Sequence, residues 1–600
     1  MTYHAPVKHI RFALDSIANL PSLYGNSAFP ELSSDIVDAI LEEAGRFAGE
    51  VIAPLNQSGD LEGAKLENGK VRLPTGFEEA HRGFVAAGWN SITGSTEFGG
   101  QGMPHVVGLA VQEMWYAANL AFGLCSLLSQ GAIEALTAHG TPEQKRLYLS
   151  KLISGEWTGT MNLTEPQAGS DVGALKTKAV RQADGSYKIS GTKIFITWGD
   201  HEASENIIHL VLARLPDAPP GTRGISLFLV PKFLPKPDGT LGARNDLHCV
   251  GLEHKLGIHG SPTCVMSFGD NEGATGFLIG AENKGMSAMF TMMNSARLNV
   301  GMQGVGIAER SYQQALAFAR ERRQGKPFGL QHETLEMMPI IFHADVRRML
   351  LTQKAMIEAG RAICFANAIA IDLARHAETP VQRAAAKARE ELLTPLSKAW
   401  CTDMAVEATS LGIQVHGGVG FIETTGAAQH YRDARITPIY EGTNGIQAID
   451  LIGRKLSLEG GETVRRFLNE VRETARLCEG ADGALQSVGR EVARVLQVVE
   501  SATAWLQERM RTSPQDALPG ATPYLRMMGL IAGAHYLACG GLAARTQLAL
   551  PGADAAFLNG RIAVAQFFAE QVLPQAEGLL GPATRGAGGP FALSGDEIGL

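Results

Sequence analysis

Residues 179–199 read AVRQADGSYKISGTKIFITWG, in which the pattern of a β-hairpin interrupts a chain of helical patterns. Apolar and polar residues alternate on both sides of Asp184-Gly185, a dipeptide that favours the tight turn of a β-hairpin. The later runs IIHLVLARL and GISLFLVPKF continue the strand pattern, which ends near residue 275. The sequence therefore predicts a β domain over residues 160–275.

Helical periodicity surrounds this block on both sides. SSDIVDAILEEAGRFAGEVIAPLN, at residues 33–56, predicts a helix capped by Ser33, Ser34 or Asp35 and stopped by Pro54. Its apolar stripe is expected to comprise Ile36, Ile40, Leu41, Ala44, Phe47 and Val51. Residues 285–323 can form an almost unbroken helix, and two further helical stretches follow before residue 412.

The order of these patterns gives the predicted architecture, an α+β chain that is mainly α. We expect a helical domain over residues 1–159, the β domain over 160–275, a helical bundle over 276–455 and an additional helical domain over 456–600.

The composition is that of an ordinary globular chain of 600 residues. A hydrophobic content of 45% and a charged content of 19% exclude the disordered and fibrous classes. The net charge of −8 argues against a phosphate-backbone partner. Because the seven cysteines are widely spaced and form no CxxC pair, we expect reduced thiols in a cytoplasmic protein, and no metal site.

Neither the N-terminal residues nor the most apolar stretch of the sequence predicts insertion into a membrane. MTYHAPVKHIRF has no apolar core typical of a signal peptide, so none is expected. The apolar stretch at residues 527–544 contains His535 and several glycines, and it is interpreted as a buried helix rather than a membrane span.

Two segments of the β block combine small residues with hydroxyl groups. MNLTEPQAGSD, at residues 161–171, places Thr164 and Ser170 near Gly169, where backbone N–H groups can approach a ligand closely. KIFITWG, at residues 193–199, is an alternating strand that carries Thr197. Taken alone, a capped turn and a half-buried strand are the simpler interpretations.

Two later segments carry cations and paired glycines. ERRQGKPFG, at residues 321–329, ends the long helix, where its cations either complement the helix dipole or bind a pyrophosphate. QVHGGVGF, at residues 414–421, contains Gly417 and Gly418, which permit close contact with a planar group or a phosphate. His416 beside them is interpreted as a hydrogen-bonded structural residue. The glycines of GMQGVG, at residues 301–306, lie in a helical pattern and predict close helix packing rather than a nucleotide site.

RDARITPIYEGTNGIQ, at residues 432–447, places Glu441 after an apolar stretch. A carboxylate that is partly desolvated there has a raised pKa, which suits it to general-base chemistry. A solvated surface glutamate is the alternative.

Together, in this order and at these separations, the segments resemble the acyl-CoA dehydrogenase family over about residues 35–455. The chain length and KLGIHGSPTC, at residues 255–264, are similar to the long bacterial branch that includes 3-methylmercaptopropionyl-CoA dehydrogenases and broad-range fatty acyl-CoA dehydrogenases. The resemblance implies an N-terminal helical domain, a middle β-barrel-like domain and a C-terminal four-helix bundle with a helical extension. It also implies an FAD cofactor and the α,β-dehydrogenation of an acyl-CoA thioester to the trans-2-enoyl-CoA.

The resemblance assigns contacts to residues that match the family's motifs. It implies FAD contacts from Met161, Leu163, Thr164, Gly169, Ser170, Phe195, Ile196, Thr197, Arg322, Gln324, Gln414, Gly417, Gly418, Thr443 and Gly445. It implies substrate contacts from Ser170, Arg297, Tyr440, Glu441 and Gly442. In the family, the segments that match 321–329 and 414–421 usually reach the FAD of the neighbouring subunit, so a homodimer is expected. The chain departs from the pattern at Phe195, where tryptophan is usual, and at the GKP that separates Gln324 from Phe328.

The resemblance also identifies the catalytic base. Some members place it on the long helix just before an arginine, but here Ala296 precedes Arg297, and alanine cannot accept a proton. Glu441 is therefore the predicted base, and an electron-transfer flavoprotein is the predicted electron acceptor. The alternatives are an acyl-CoA oxidase that uses O₂, a flavin-containing nucleic-acid-binding relative and a flavin-free scaffold.

Overall fold

The computed structural model describes residues 3–328 and 337–599. Its contacts divide the chain into two compact units. The sheet unit is centred on Glu43–Asn299, and the helical unit comprises Pro6–Glu42 and the chain from Val300 onward. The predicted fold class, mainly helical with one sheet-forming block in the middle of the chain, is confirmed. The boundaries of the four predicted domains stay a prediction.

The strands all belong to the sheet unit. They are β1 Lys65–Glu67, β2 Lys70–Arg72, β3 Trp157–Asn162, β4 Lys178–Arg181, β5 Tyr187–Thr197, β6 Asn206–Arg214, β7 Ile225–Pro231, β8 Phe233–Pro235, β9 Leu241–Arg244, β10 Leu247–Leu252, β11 Thr263–Phe268 and β12 Ala274–Ile279. The main sheet has the order β10-β11-β5-β12-β7-β6-β3, with β4 beside β5 and β6. β3 runs parallel to β6, and the predicted Asp184-Gly185 turn joins the antiparallel strands β4 and β5.

In the described residues 3–156, eight α-helices lie before residue 157, where the first strand of the main sheet begins. They are α1 Val7–Phe12, α2 Ser34–Phe47, α3 Leu55–Glu62, α4 Phe77–Ala86, α5 His105–Ala118, α6 Leu120–His139, α7 Pro142–Gln144 and α8 Ser150–Ser154. α5 and α6 are buried almost throughout, because apolar residues cover all their faces rather than one stripe.

The helices of the second part form the bundle and the C-terminal region. They are α9 Gly285–Glu321, α10 Ala344–His376, α11 Pro380–Pro395, α12 Cys401–His416, α13 Ala427–Ala434, α14 Asn444–Asp450, α15 Glu462–Glu479, α16 Ala484–Thr512, α17 Pro514–Ala517, α18 Ala521–Leu548, α19 Ala555–Phe567, α20 Gln575–Gly578 and α21 Leu580–Thr584. α18 packs against α10, α14, α15, α16 and α19. We refer to residues 456–599 as the C-terminal extension.

The glycines of the GMQGVG segment pack helices closely, as predicted. A Cβ atom at Gly301 would lie 2.3 Å from the Ser397 carbonyl oxygen, and one at Gly304 would lie 2.6 Å from the Cys401 carbonyl oxygen. Both distances are shorter than real contacts. Glycine therefore lets α9 cross, at backbone distance, the π-helical turn Leu396–Trp400 that joins α11 to α12.

Within residues 3–328 and 337–599, two helices are long and apolar enough to span a membrane, Leu120–His139 and the continuous helical stretch Pro514–Leu548. Their most apolar windows are 78% and 83% buried inside the protein. The second helix contains the stretch at residues 527–544, which is a buried helix as expected.

The apolar stripe of α2 differs from the predicted stripe. Val37, Leu41 and Ala44 are fully buried, whereas Ile36 is 42% exposed. Ile36 and Val37 are adjacent, and each continues a run at three- and four-residue steps, so the sequence allows two faces. The cap is confirmed, because the Ile36 N–H donates to the Ser33 hydroxyl at 3.3 Å.

Candidate active site and cofactor-binding segments

The first two segments of chemical interest are joined in the sheet unit. The Ile194 N–H donates to the Thr164 carbonyl at 2.9 Å. The Lys193 ammonium donates to the Leu163 carbonyl at 3.0 Å and to the Glu165 carboxylate at 2.8 Å. The segments 161–170 and 193–197 therefore form one structure.

The Lys193–Glu165 ion pair is the centre of this structure. Lys193 is fully buried and Glu165 is nearly so. The Glu165 carboxylate accepts further hydrogen bonds from the Lys176 N–H, the Thr177 N–H, the Thr177 hydroxyl and the Gln167 amide. Burial alone would raise the pKa of Glu165, but Lys193 and these donors outweigh burial and lower it to about 2. Burial lowers the pKa of Lys193 to about 8, even though Glu165 opposes that change.

Phe195 lies at a β-bulge in β5. Cys264 pairs with Ile196 and Met266 pairs with Lys193, so β5 has one more residue than β11 between these two pairs. Phe195 adopts a left-handed φ of 60°, which is unfavourable for a side chain of this size. The bulge turns the Phe195 ring outward, where it is 58% exposed.

The remaining residues assigned to these two segments differ in accessibility. Met161 and Ile196 are buried, Leu163, Thr164 and Thr197 are half-buried, and Gly169 and Ser170 are exposed. An aromatic ring on the surface with hydroxyl groups beside it suits a planar ligand that has polar edges. These residues fit an isoalloxazine ring.

The third and fourth segments meet in the helical unit. The rings of Phe318, near the end of α9, and His416, at the end of α12, are stacked with centroids 4.6 Å apart. His416 also contacts the Gly412 carbonyl through Nδ1 at 2.7 Å, which agrees with the structural role predicted for it. In the sequence, Arg322 and Gln324 follow Phe318. His416 has Gln414 before it and Gly417 and Gly418 after it.

These five residues are exposed. The Arg322 guanidinium donates to the Gln324 amide oxygen at 3.2 Å. Gly417 has a φ of 63°, and added Cβ atoms at Gly417 and Gly418 would meet no atom within 4 Å. A guanidinium beside open backbone suits a pyrophosphate group. Phe328 is fully exposed, and Gly329, at the end of the third segment, lies outside the described residues.

Glu441 is half-buried at the middle of a loop over residues 438–444. The Asn444 N–H closes this loop by donating to the Pro438 carbonyl at 3.0 Å. Glu441 has a left-handed φ of 55°, and the next residue, Gly442, has a φ of 83°. A non-glycine residue in this region is strained and persists only where neighbouring contacts hold it.

Neighbouring residues fix both sides of Glu441. The Tyr440 hydroxyl donates to the amide oxygen of Gln303, a fully buried residue of α9. Thr443 caps α14, because its hydroxyl accepts from the Ile446 N–H at 3.3 Å. Gly445 is exposed in the first turn of α14. Arg297, also predicted to contact substrate, is buried on the part of α9 that belongs to the sheet unit.

Four residues that hold these segments were missed by the sequence interpretation: Glu165, Lys193, Gln303 and Asn444. Glu165 and Lys193 lie inside the segments 161–171 and 193–199. A lysine at an inward position of an alternating strand indicates a buried partner of opposite charge. Gln303 lies in a helical pattern that gives no such signal. Asn444 reads as an ordinary first residue of a helix.

Profiles of four protein families match successive parts of the chain. They are described as the acyl-CoA dehydrogenase N-terminal domain at residues 34–156, the middle domain at 160–271, the C-terminal domain at 283–457 and an acetyl-CoA dehydrogenase C-terminal-like domain at 467–593.

Individual relatives cover almost the whole chain. A 3-methylmercaptopropionyl-CoA dehydrogenase of Ruegeria pomeroyi is 51% identical over 580 residues, which are 96% of each chain. A butyryl-CoA dehydrogenase of Syntrophomonas wolfei is 35% identical over 592 residues, 96% of this chain and 95% of the relative. The solved structure of a Bacillus anthracis acyl-CoA dehydrogenase complexed with FAD has the same fold, with a TM-score of 0.72, 19% identity and coverage of 95% and 90% of the two chains.

Proposed function

Since the chain belongs to the acyl-CoA dehydrogenase family and is an FAD-dependent oxidoreductase acting on acyl-CoA, we propose that Glu441 is its catalytic base and that its substrate is 3-methylmercaptopropionyl-CoA. The observation that carries the base assignment is the anchored loop that holds Glu441 in a left-handed conformation. The substrate rests on the 51% identity to the Ruegeria pomeroyi enzyme over 96% of both chains.

The proposed chemistry needs one proton acceptor from the protein. The Glu441 carboxylate accepts the proton from carbon 2 of the acyl group. FAD, when bound, supplies the acceptor for the hydride from carbon 3. The anchored loop keeps the carboxylate in one orientation, so that less of its conformational freedom is lost when substrate binds.

The FAD-binding residues are proposed from the geometry of the two units. In the sheet unit, Phe195, Thr197 and Ser170 offer a ring and hydroxyl groups, with Met161, Leu163, Thr164, Gly169 and Ile196 around them. In the helical unit, Arg322, Gln324, Gln414, Gly417 and Gly418 would bind the pyrophosphate and adenine end, and Thr443 and Gly445 would contact the flavin. Tyr440 and Gly442, on either side of Glu441 in the sequence, are proposed to contact the substrate, and Arg297 on α9 is a further proposed substrate contact.

A panel of thioesters tests the substrate. We expect 3-methylmercaptopropionyl-CoA to give the highest kcat/KM when compared with propionyl-, butyryl-, octanoyl- and palmitoyl-CoA under the same conditions. A straight-chain thioester with a higher kcat/KM would show that the chain differs in specificity from the Ruegeria relative.

The proposed electron acceptor is an electron-transfer flavoprotein. In the absence of O₂, turnover should depend on this acceptor and should stop without it. Rapid aerobic turnover that releases hydrogen peroxide without any flavoprotein would instead identify an oxidase.

The proposed assembly is a cytoplasmic homodimer in which each chain completes the FAD site of the other. Exposed apolar side chains surround the third and fourth segments: Phe328, Met337, Phe342, Val419, Phe421 and Ile422. An exposed cluster of this kind beside an open Arg322 and paired glycines suits a second copy of the chain. Light scattering of the FAD-bound protein should give the mass of two chains. A monomer saturated with FAD would contradict the shared site, and a tetramer would show a further contact.

A further inference from the structure

The Asn444 side chain attaches the loop that carries Glu441 to the π-helical turn Leu396–Trp400, which joins α11 to α12, and to the start of α12. Its amide nitrogen donates to the Ala399 carbonyl at 3.1 Å, to the Thr402 hydroxyl at 2.9 Å and to the Asp403 carboxylate at 2.7 Å. Its amide oxygen accepts from the Lys398 ammonium at 2.8 Å. Because the backbone N–H of the same residue closes the loop on Pro438, Asn444 holds both the shape of the loop and its place on the bundle.

The turn that receives Asn444 is packed from two sides. On one side, α9 reaches Ser397 and Cys401 at backbone distance through Gly301 and Gly304. On the other side lies α18 of the C-terminal extension, where a Cβ atom at Gly529 would lie 2.2 Å from Trp400 Cγ. Phe568, also in the extension, packs edge-on against Trp400 with ring centroids 6.4 Å apart.

The extension makes polar contacts with the same region. Arg526 of α18 donates to the Glu407 carboxylate on α12 at 3.1 Å and to the Gln575 amide oxygen at 3.0 Å. α18 also packs against α14, the helix that begins at Asn444. The extension therefore supports both the turn that receives Asn444 and the helix that follows the Glu441 loop.

We propose that Asn444 is a positioning residue for Glu441, and that the C-terminal extension acts in catalysis by holding the turn to which Asn444 is attached. This inference rests on the proposed function, in which Glu441 is the base. The strained φ of Glu441 makes an attachment of this kind necessary, because a released loop relaxes to a more favourable backbone conformation. The carboxylate then no longer points in one direction.

Asn444→Ala tests the first part through two measurements. Single-turnover reduction of the flavin by a saturating acyl-CoA should slow by about 100-fold, which is the effect of moving a reacting group by about 1 Å. The deuterium isotope effect from a thioester labelled at carbon 2 should rise, because proton removal becomes more rate-limiting. Substrate affinity should stay unchanged, since Asn444 bonds to protein groups.

Amide hydrogen exchange of the apoprotein gives a readout independent of catalysis. Peptides covering residues 436–447 should exchange faster by about tenfold in Asn444→Ala, because the anchor of the loop is lost. Asn444→Asp should behave like Asn444→Ala, since it keeps the acceptor for Lys398 but loses the donors to Ala399, Thr402 and Asp403.

Asn245→Ala is the matched control. Asn245 lies in the sheet unit, and its side chain is likewise held by several hydrogen bonds, to the Pro231 and Thr275 carbonyls and from the Thr275 and Asp246 N–H groups. It should lower thermal stability without changing the isotope effect or the exchange of residues 436–447. If it slows flavin reduction as much as Asn444→Ala, the loss is a general effect of instability and the proposal is wrong.

Gly529→Ala tests the role of the extension. The added methyl group displaces Trp400, so flavin reduction should slow by about tenfold and exchange at residues 436–447 should increase. Unchanged rates in a folded Gly529→Ala protein would overturn this part. Glu441→Gln distinguishes failure of the base assignment from failure of the positioning role of Asn444. If Glu441→Gln reduces flavin at the normal rate, the base is another residue. The hydrogen-exchange data still report whether Asn444 holds the loop.

Discussion

Phe195 and Glu441 are both non-glycine residues with left-handed backbone, yet the two units hold them in different ways. Phe195 lies in strand β5, two residues after Lys193. The buried ion pair between Lys193 and Glu165 connects this strand to the neighbouring loop. Glu441 lies in a loop that the neutral side chains of Tyr440 and Asn444 attach to the bundle.

The two kinds of attachment differ in how much free energy is lost when one side chain is removed. A buried ion pair is costly to break, because the remaining charge loses its partner in a region that excludes water. Each hydrogen bond that is lost when an amide side chain is removed costs a smaller free energy. We therefore expect loss of the Lys193–Glu165 ion pair to act mainly on stability, and changes at the Glu441 loop to act mainly on the reaction.

The largest expected effect is that of Glu441→Gln. An amide cannot accept the proton from carbon 2, so flavin reduction by substrate should slow by about a thousandfold or more. FAD content and thermal stability should stay close to those of the wild type. Stopped-flow measurement of flavin bleaching checks the rate, and retention of a tenth of the wild-type rate would show that another group is the base.

Lys193→Met should have the largest effect on stability. It leaves the Glu165 carboxylate buried without its cation, at a cost of about 3–5 kcal/mol. Calorimetry of the FAD-bound protein should show a lower melting temperature for this variant. The double variant Glu165→Gln/Lys193→Met is the control and should recover most of the loss, because no buried charge remains. Equal melting temperatures for Lys193→Met and wild type would mean that the pair contributes little.

Arg322→Ala should weaken FAD binding without weakening the fold. Arg322 is exposed and its guanidinium bonds to the exposed Gln324, so removal of this side chain leaves no buried group without a partner. Loss of a bidentate phosphate contact corresponds to about 1.5–3 kcal/mol of binding free energy. FAD content after extensive dialysis measures this effect. The neighbouring Arg323→Ala is the control, and equal FAD retention in both variants would contradict a phosphate role for Arg322.

The smallest expected effect is a pH dependence of stability that comes from Glu165. Its pKa in the folded protein is about 2, below that of an unfolded glutamate. The stabilisation is therefore fully present above the unfolded pKa and is lost as the pH falls through the range towards 2. Between pH 6 and pH 4, the melting temperature of the wild type should fall by about 1 °C more than that of Glu165→Gln/Lys193→Met. Parallel curves for the two proteins would contradict the depressed pKa.

Local signals in the sequence predicted much of the fold. The hairpin at Asp184-Gly185 depends on turn chemistry that two residues determine, and it formed as predicted. The long helix α9 and the close packing at Gly301 and Gly304 also follow from local patterns. The stripe of α2 was wrong at Ile36, because two adjacent apolar residues fit the same spacing and only tertiary contacts select between them.

The geometry of the candidate site depends on contacts distant in sequence. Glu165 and Lys193 meet because of the strand register, which composition does not specify. The bulge at Phe195 requires the pairing with β11, which lies far along the chain. The hydrogen bonds of the Asn444 side chain require the turn between α11 and α12, whose position depends on α9 and α18. The roles of the individual site residues stay predictions.

The contact between Gly529 and Trp400 has a consequence for the order of events during synthesis. Gly529 follows Trp400 by 129 residues (529 − 400), so a ribosome adding about 5–20 residues each second needs about 6–26 s to reach it. During that time the bundle helices are available, but the apolar surface at Trp400 and Ala359 lacks its covering helix. A nascent chain at this stage therefore exposes apolar surface at Trp400 and Ala359 that the extension later buries.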